Sequence, residues 1–264
     1  SATHALGWGY RYHIPRVTAL AMCGSTVEAA TAFAAVDKLR RPFRSLDYER
    51  SLARAWVAAG QGAVSEAIIV LLSAAKRASA KGQFAAEVFC LQTAAQFGDH
   101  SNALRLGELA SIVEGPRVGV AARFAVALRD GEAAELASVS EDFERMGDLV
   151  AAVDAAANAA LVYRRQGLRG SALGCAARAD ALAEQCGAST PALRQASEPV
   201  PLTDREREIV MLIGAGLSNR AVAERLTLSV RTVESHIYRA MLKTGTTSRD
   251  ELAALIPRQR ARTE

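Results

Sequence analysis

Arg231, Thr232, Ser235, Tyr238, Arg239 and Leu242 fall on one side of the helical pattern read over residues 230–243, "VRTVESHIYRAMLK". Val230, Val233, Ile237 and Met241 gather within about 80° of one another on the other side and read as the buried stripe. The outward side thus holds two guanidinium groups and three hydroxyls beside a single aliphatic residue. Guanidinium forks pair with phosphate or with a guanine edge, and short hydroxyls leave room for close backbone approach. A helix face that only meets water would mix Glu with Lys instead. The chemistry available here is recognition of a polyanion, and such a face could line the major groove of duplex DNA.

Holding that face clear of other helices needs a tight support. Thr203 and Glu206 have capping-box spacing and open a first helix with an apolar stripe of Ile209, Leu212 and Ile213, closed by Gly214 and Gly216. Ser218 or Asn219 opens a second, with Val222 and Leu226 buried and Ala223 small enough for another helix to cross nearby. Only "TLS" separates it from the third helix, which Ser229 can cap. So short a connection suits the steep crossing of a helix-turn-helix rather than a relaxed hairpin. Ser248 and Glu251 repeat the capping-box spacing and start a fourth helix.

The stretch "LTDREREIVMLIGAGLSNRAVAERLTLSVRTVESHIYRAMLKTGTTSRDEL" resembles the LuxR-type helix-turn-helix domain. The "LT-x-RE-x-E" opening, the "G-x-SN" junction, the "A-x-x-L-x-x-S" turn, "TV-x-x-H" and the "K-x-G-x-x-SR-x-EL" close occur in the family's order. By that resemblance Thr232, Glu234, Ser235 and Tyr238 approach the groove and Arg231 and Arg239 flank it at phosphates. Asn219 and Arg220 sit near the DNA backbone, Lys243 joins the DNA-facing set, and Leu252, Leu255 and Ile256 help form a dimer. Two positions depart from the pattern. Glu234 stands where many relatives have lysine, which puts any inherited sequence preference in doubt, and Thr244 replaces a commoner leucine.

Upstream, Gly60, Gly82, Gly98, Gly115, Gly131, Gly147, Gly167 and Gly187 punctuate Ala/Leu/Val-rich runs of helical spacing. A glycine just past each run is the expected helix C-terminal residue. Every second glycine gives a period of roughly 34–40 residues, that of an α-solenoid, against a more globular helical bundle as the alternative. The run resembles degenerate tetratricopeptide-type repeats, best in "GDLVAAVDAAANAALVYRRQGLRGSALGCAARADALAEQCG". Stacked repeats offer a concave surface to a peptide or another domain. The expected fold is therefore all-α: a tetratricopeptide-like repeat region over 1–188, a linker over 189–201 where "STPALRQASEPVP" interrupts the period, a four-helix domain over 202–257 and a basic tail over 258–264.

A helical repeat array before such a domain is similar to large LuxR-type regulators in which an ATP-binding domain comes first. The chain has no G-x-x-x-x-G-K-[ST], so any nucleotide site is expected upstream of Ser1 and no cofactor within this chain. "SATHALGWGY" reads as part of a longer protein, its aromatic residues Trp8, Tyr10 and Tyr12 packing at the array's open end or against an upstream domain rather than stacking on bases.

Composition bounds the rest. Only 5% of residues are aromatic and alanine fills much of the apolar half, which favours close-packed helices over a β-sandwich. No apolar run reaches 18 residues and no secretion signal opens the chain, so the expected location is cytoplasmic, without a membrane partner. Cys23, Cys90, Cys175 and Cys186 lack metal-ligand spacing and read as reduced thiols. From 201 onward eleven Lys/Arg face eight Asp/Glu, so three of the four net positive charges lie in the last quarter, the sign a nucleic-acid partner needs. "SAAK" at 73–76 and "KTG" at 243–245 mimic serine-enzyme motifs whose third member is missing, and no catalytic set converges. The expected function is a non-enzymatic, sequence-specific transcription regulator, a homodimer on duplex DNA, with repeats that sense or transmit a signal. The alternative is an interaction scaffold whose last helices dock protein.

Overall fold

Apolar residues at helical spacing, broken by glycine, make the chain helical throughout. The computed structural model describes residues 8–38, 47–197, 202 and 204–254, and these form fifteen helices with no strand among them. Eleven precede the C-terminal domain: α1 (Trp8–Met22), α2 (Thr26–Asp37), α3 (Asp47–Gly60), α4 (Val64–Ser79), α5 (Phe84–Gln96), α6 (Ala103–Leu109), α7 (Pro116–Asp130), α8 (Ala133–Arg145), α9 (Leu149–Arg165), α10 (Arg169–Cys186) and α11 (Pro191–Ala196). Neighbours in sequence pack on one another, and alternate helices also meet: α1 on α3, α5 on α7, α9 on α11. Alanine sets the spacing. In α9, Ala152, Ala155, Ala156, Ala159 and Ala160 are fully buried, where a larger side chain would push α8 and α10 away.

The glycine punctuation holds with one exception. Gly82, Gly98, Gly115, Gly131, Gly147, Gly167 and Gly187 all have positive φ, but the turn after α3 uses Gly62 instead of Gly60. Gly60 ends α3 itself, and a Cβ there would lie 3.1 Å from the Thr26 methyl of α2. Tyr12 is 72% exposed and so is not packed into the end of the array, while the side chains of Trp8 and Tyr10 lie outside the described residues.

The boundary at 189 is corrected. Residues 189–201 are not all linker, because α11 lies inside them, with Thr190 capping it by accepting from the Leu193 N–H at 3.2 Å. Proline at the first helical position suits a helix start, so Pro191 opens α11 inside the stretch that interrupts the helical period. α11 packs on α9 and brings the chain back to its beginning, since the Ser189 N–H donates to Met22 O at 2.7 Å.

Beneath α11 lies a buried carboxylate. Asp154 of α9 is 0% exposed, and its Oδ2 accepts from Gln96 of α5 at 2.9 Å. Burial pushes its pKa up to about 7, although the Thr190 hydroxyl, Gln96 and the charge of Arg194 favour the ionised form. The folded chain thus prefers the neutral acid relative to the ordinary value of 3.8, so its contribution to stability is complete below that value and lost as pH rises through about 7. Asp154→Asn is expected to flatten that dependence. Between pH 6 and 8 the unmodified chain should lose about 1 kcal/mol more than the variant, read from urea unfolding at the two pH values.

The last four helices are α12 (Asp204–Gly214), α13 (Asn219–Leu226), α14 (Val230–Thr244) and α15 (Arg249–Ala254). Their core of Leu202, Ile209, Val210, Ile213, Val222, Ala223, Val233, Ile237, Ala240 and Leu252 takes no buried side chain from the preceding helices. This unit therefore has the means to fold alone. It touches the preceding helices where Arg169, first residue of α10, donates from Nη1 to Lys243 O at 2.8 Å and to Leu242 O at 3.3 Å. The backbones meet there too: a Cβ on Gly170 would lie 3.3 Å from Gly245 O.

Candidate nucleic-acid interface

Serine caps make the tight turn. Ser218 Oγ accepts from the Ala221 N–H at 3.2 Å and starts α13; Ser229 Oγ accepts from the Thr232 N–H at 3.1 Å and starts α14. Between them Thr227 sits at φ +55°, the only non-glycine with positive φ among the described residues. A β-branched residue there costs roughly 1–2 kcal/mol, which the fold accepts to turn α14 steeply off α13 in three residues. At the far end, Glu251 accepts from the Thr247 N–H at 2.8 Å and the Ser248 N–H at 3.3 Å, and those bonds hold its carboxyl below the usual range. Ser248 Oγ in turn accepts from the Glu251 N–H at 3.1 Å, completing the capping box. Thr203 lies outside the described residues, and with it the expected capping box to Glu206.

The buried stripe of α14 is Val233, Ile237, Ala240 and Thr244. Two expectations fail. Val230 is 40% exposed, because α13 has already turned away at the first turn of α14, and Met241 is only half-buried. Thr244, noted as a departure, is sealed at 1% exposure with its hydroxyl donating to Ala240 O at 2.8 Å. The outward stripe stands open. Arg231, Ser235, Tyr238 and Leu242 recur at i, i+4, i+7 and i+11 along about 16 Å of helix, with Tyr238 63% and Leu242 60% exposed. A major groove is about 12 Å wide, so such a helix can fill it.

Arg231 has no carboxylate partner among the described residues, and Arg239 reaches only Ser235 Oγ at 3.4 Å. Both charges are free for phosphate. Thr232 has its hydroxyl against Ser229 Oγ at 2.8 Å at the helix start, and Glu234 is exposed between the two arginines. Arg220 is exposed in a 3.2 Å pair with Glu224, which competes weakly with any phosphate. Asn219 is half-buried, and its side-chain oxygen accepts from Arg249, leaving the amide N–H to offer. His236 is half-buried, with its Nδ1 enclosed and without a partner.

Two assignments are corrected. Lys243 does not face DNA freely, because its Nζ binds both oxygens of Glu206 at 2.7 and 2.9 Å, and that carboxylate is only 3% exposed. A buried carboxylate needs a cation, and Lys243 is the one that α14 brings to α12. Leu252 is fully buried in the domain's own core and presents nothing to a second copy. Leu255 and Ile256 lie outside the described residues.

Three relevant residues escaped the sequence reading. Arg225 is an exposed cation on α13 with no carboxylate partner among the described residues. Arg249 also donates to Leu217 O, pinning the start of α13 to α15. Arg169 needed the tertiary contact to be seen at all, whereas helical position and missing acidic neighbours could have flagged Arg225.

Comparison with known proteins agrees with this geometry. The family model described as bacterial regulatory proteins, luxR family, matches residues 200–256. The chain is 40% identical over 74 residues to the response regulator Rre1 of Synechocystis, covering 27% of this chain and 32% of that protein. It is 47% identical over 51 residues to the oxygen regulatory protein NreC of Staphylococcus aureus, covering 19% of this chain and 24% of NreC. Over 51 residues it is 45% identical to a putative HTH-type transcriptional regulator of Mycobacterium tuberculosis, covering 19% of this chain and 6% of that protein. The chain thus spans a third or less of the length of these curated relatives. No solved structure matches it.

Proposed function

We propose, with the LuxR-family regulatory domain at residues 200–256 as the premise, that this chain regulates transcription by binding duplex DNA sequence-specifically through α14. The observation that carries the reading is the uncovered stripe of Arg231, Ser235, Tyr238 and Leu242, flanked by the free charge of Arg239. In this reading Ser235 and Tyr238 meet base edges, Val230 offers an apolar contact for a thymine methyl, and the arginines hold phosphates. Glu234 accepts from a cytosine amino group or orients Arg231. Two copies acting on a two-fold site would supply the affinity one helix lacks, and light scattering with and without DNA tests that. The proposed place of action is the cytoplasm, and no catalysis is assigned.

The repeats are proposed to transmit a signal to α14, since Arg169 grips its last carbonyls. The test is selection of bound duplexes from a random pool by the whole chain, repeated with Ser235→Ala and Tyr238→Ala. Each variant is expected to shift the preferred site by roughly 1–3 kcal/mol at one or two positions. An unchanged preference in both would remove these residues from the reading face. Affinity that does not fall with salt would point to a protein partner for the last helices instead.

A further inference from the structure

α11 is a short strap held mostly by other helices. It has six residues, too few to be stable alone, and its buried apolar payload is limited: Pro191, Ala192 and Ala196, with Leu193 half-buried, the alanines set against Ala156, Ala157 and Ala160 of α9. Much of the grip is on main-chain carbonyls, which any sequence supplies. Arg164 of α9 donates to Ala196 O at 2.7 Å, and Arg194 on the strap reaches Ala59 O of α3 at 3.4 Å. Under the strap, Asp154 is fully buried beside Thr190, and its Oδ1 has no hydrogen-bond partner. The strap's Thr190 hydroxyl and Arg194 charge favour the carboxylate, yet the strap leaves Oδ1 without a donor.

We infer that the alanine face of α9 together with Asp154 and Arg164 is a peptide-binding site, filled in this state by the chain's own residues 189–197. The partner it fits is a short peptide of another protein that forms a hydroxyl-capped, alanine-rich helical turn and brings an N–H or O–H donor to Asp154 Oδ1. Such a peptide satisfies the orphaned oxygen and so displaces the strap. Displacement lengthens the tether to the C-terminal domain. The four residues 198–201 reach at most about 14 Å, whereas thirteen residues from 189 reach about 45 Å. Only this last consequence, freedom for α14, rests on the DNA-binding reading.

Two measurements on the whole chain test the site, and neither involves DNA. In hydrogen exchange of the unmodified chain, the amides of Leu193, Arg194 and Ser197 are expected to exchange at least a hundredfold faster than those of Ala155–Ala160 in α9, because the strap opens by itself. Equal rates would overturn the inference. In fluorescence anisotropy, a peptide with the sequence of residues 189–197, labelled at its C-terminus, should bind an Ala192→Glu chain at least tenfold more tightly than the unmodified chain, whose own strap competes at millimolar effective concentration. Adding Arg164→Ala on the receiving face should weaken that binding at least fivefold, because Arg164 no longer donates to the peptide's carbonyl. A folded Ala192→Glu chain that binds the peptide no better than the unmodified one sinks the proposal; if Ala192→Glu fails to fold, the exchange comparison decides alone.

Discussion

Leu252→Ala is expected to unfold the C-terminal domain rather than to separate two copies of it. The side chain is fully buried, in a core that also holds Ile209, Val233 and Ile237. Removing a buried leucine to alanine costs about 2–5 kcal/mol, the lost transfer energy plus the cavity left behind. A unit of this size has only roughly 3–8 kcal/mol in all. Hydrogen exchange in the whole chain would register the loss as deprotection of α12 and α14 amides, with helices α1 to α11 unaffected and the proposed DNA binding gone. Preserved protection with weakened self-association would instead return Leu252 to a dimer surface and contradict its burial.

Arg231→Ala and Arg239→Ala are each expected to weaken binding to every duplex by roughly 1.5–3 kcal/mol, tenfold or more, because each removes a charge-assisted hydrogen bond to phosphate. The slope of log affinity against log salt should shrink by about 1 for each, one set of counterions no longer being released. Site preference should stay the same, unlike in the Ser235 and Tyr238 variants. Lys243→Met provides the contrast. Its ammonium is held by the buried carboxylate of Glu206, so the salt slope should not move, while the domain should lose stability with that cation gone. A slope change for Lys243→Met equal to that for Arg231→Ala would mean that the pair opens when DNA arrives.

The sequence by itself determined most of the helical segments, where the turn between α13 and α14 falls, and which side of α14 looks outward. These depend on short-range matters: the 3.6-residue period, serine at the caps, glycine past helix ends. Arg231, Ser235, Tyr238 and Leu242 were legible because an angle on a helix follows from spacing alone. What tertiary structure decided was the fate of residues near the edge of that angle and of charges with distant partners. Val230 stands exposed and Thr244 is sealed because periodicity does not tell where a neighbouring helix stops. Lys243 meets Glu206 across 37 residues, Arg169 meets Lys243 O across 74, and Ser189 closes on Met22, pairings no local pattern encodes. α11 was misread for the same reason: six residues are too few to show a period, and their helix exists because α9 and the Thr190 cap hold it.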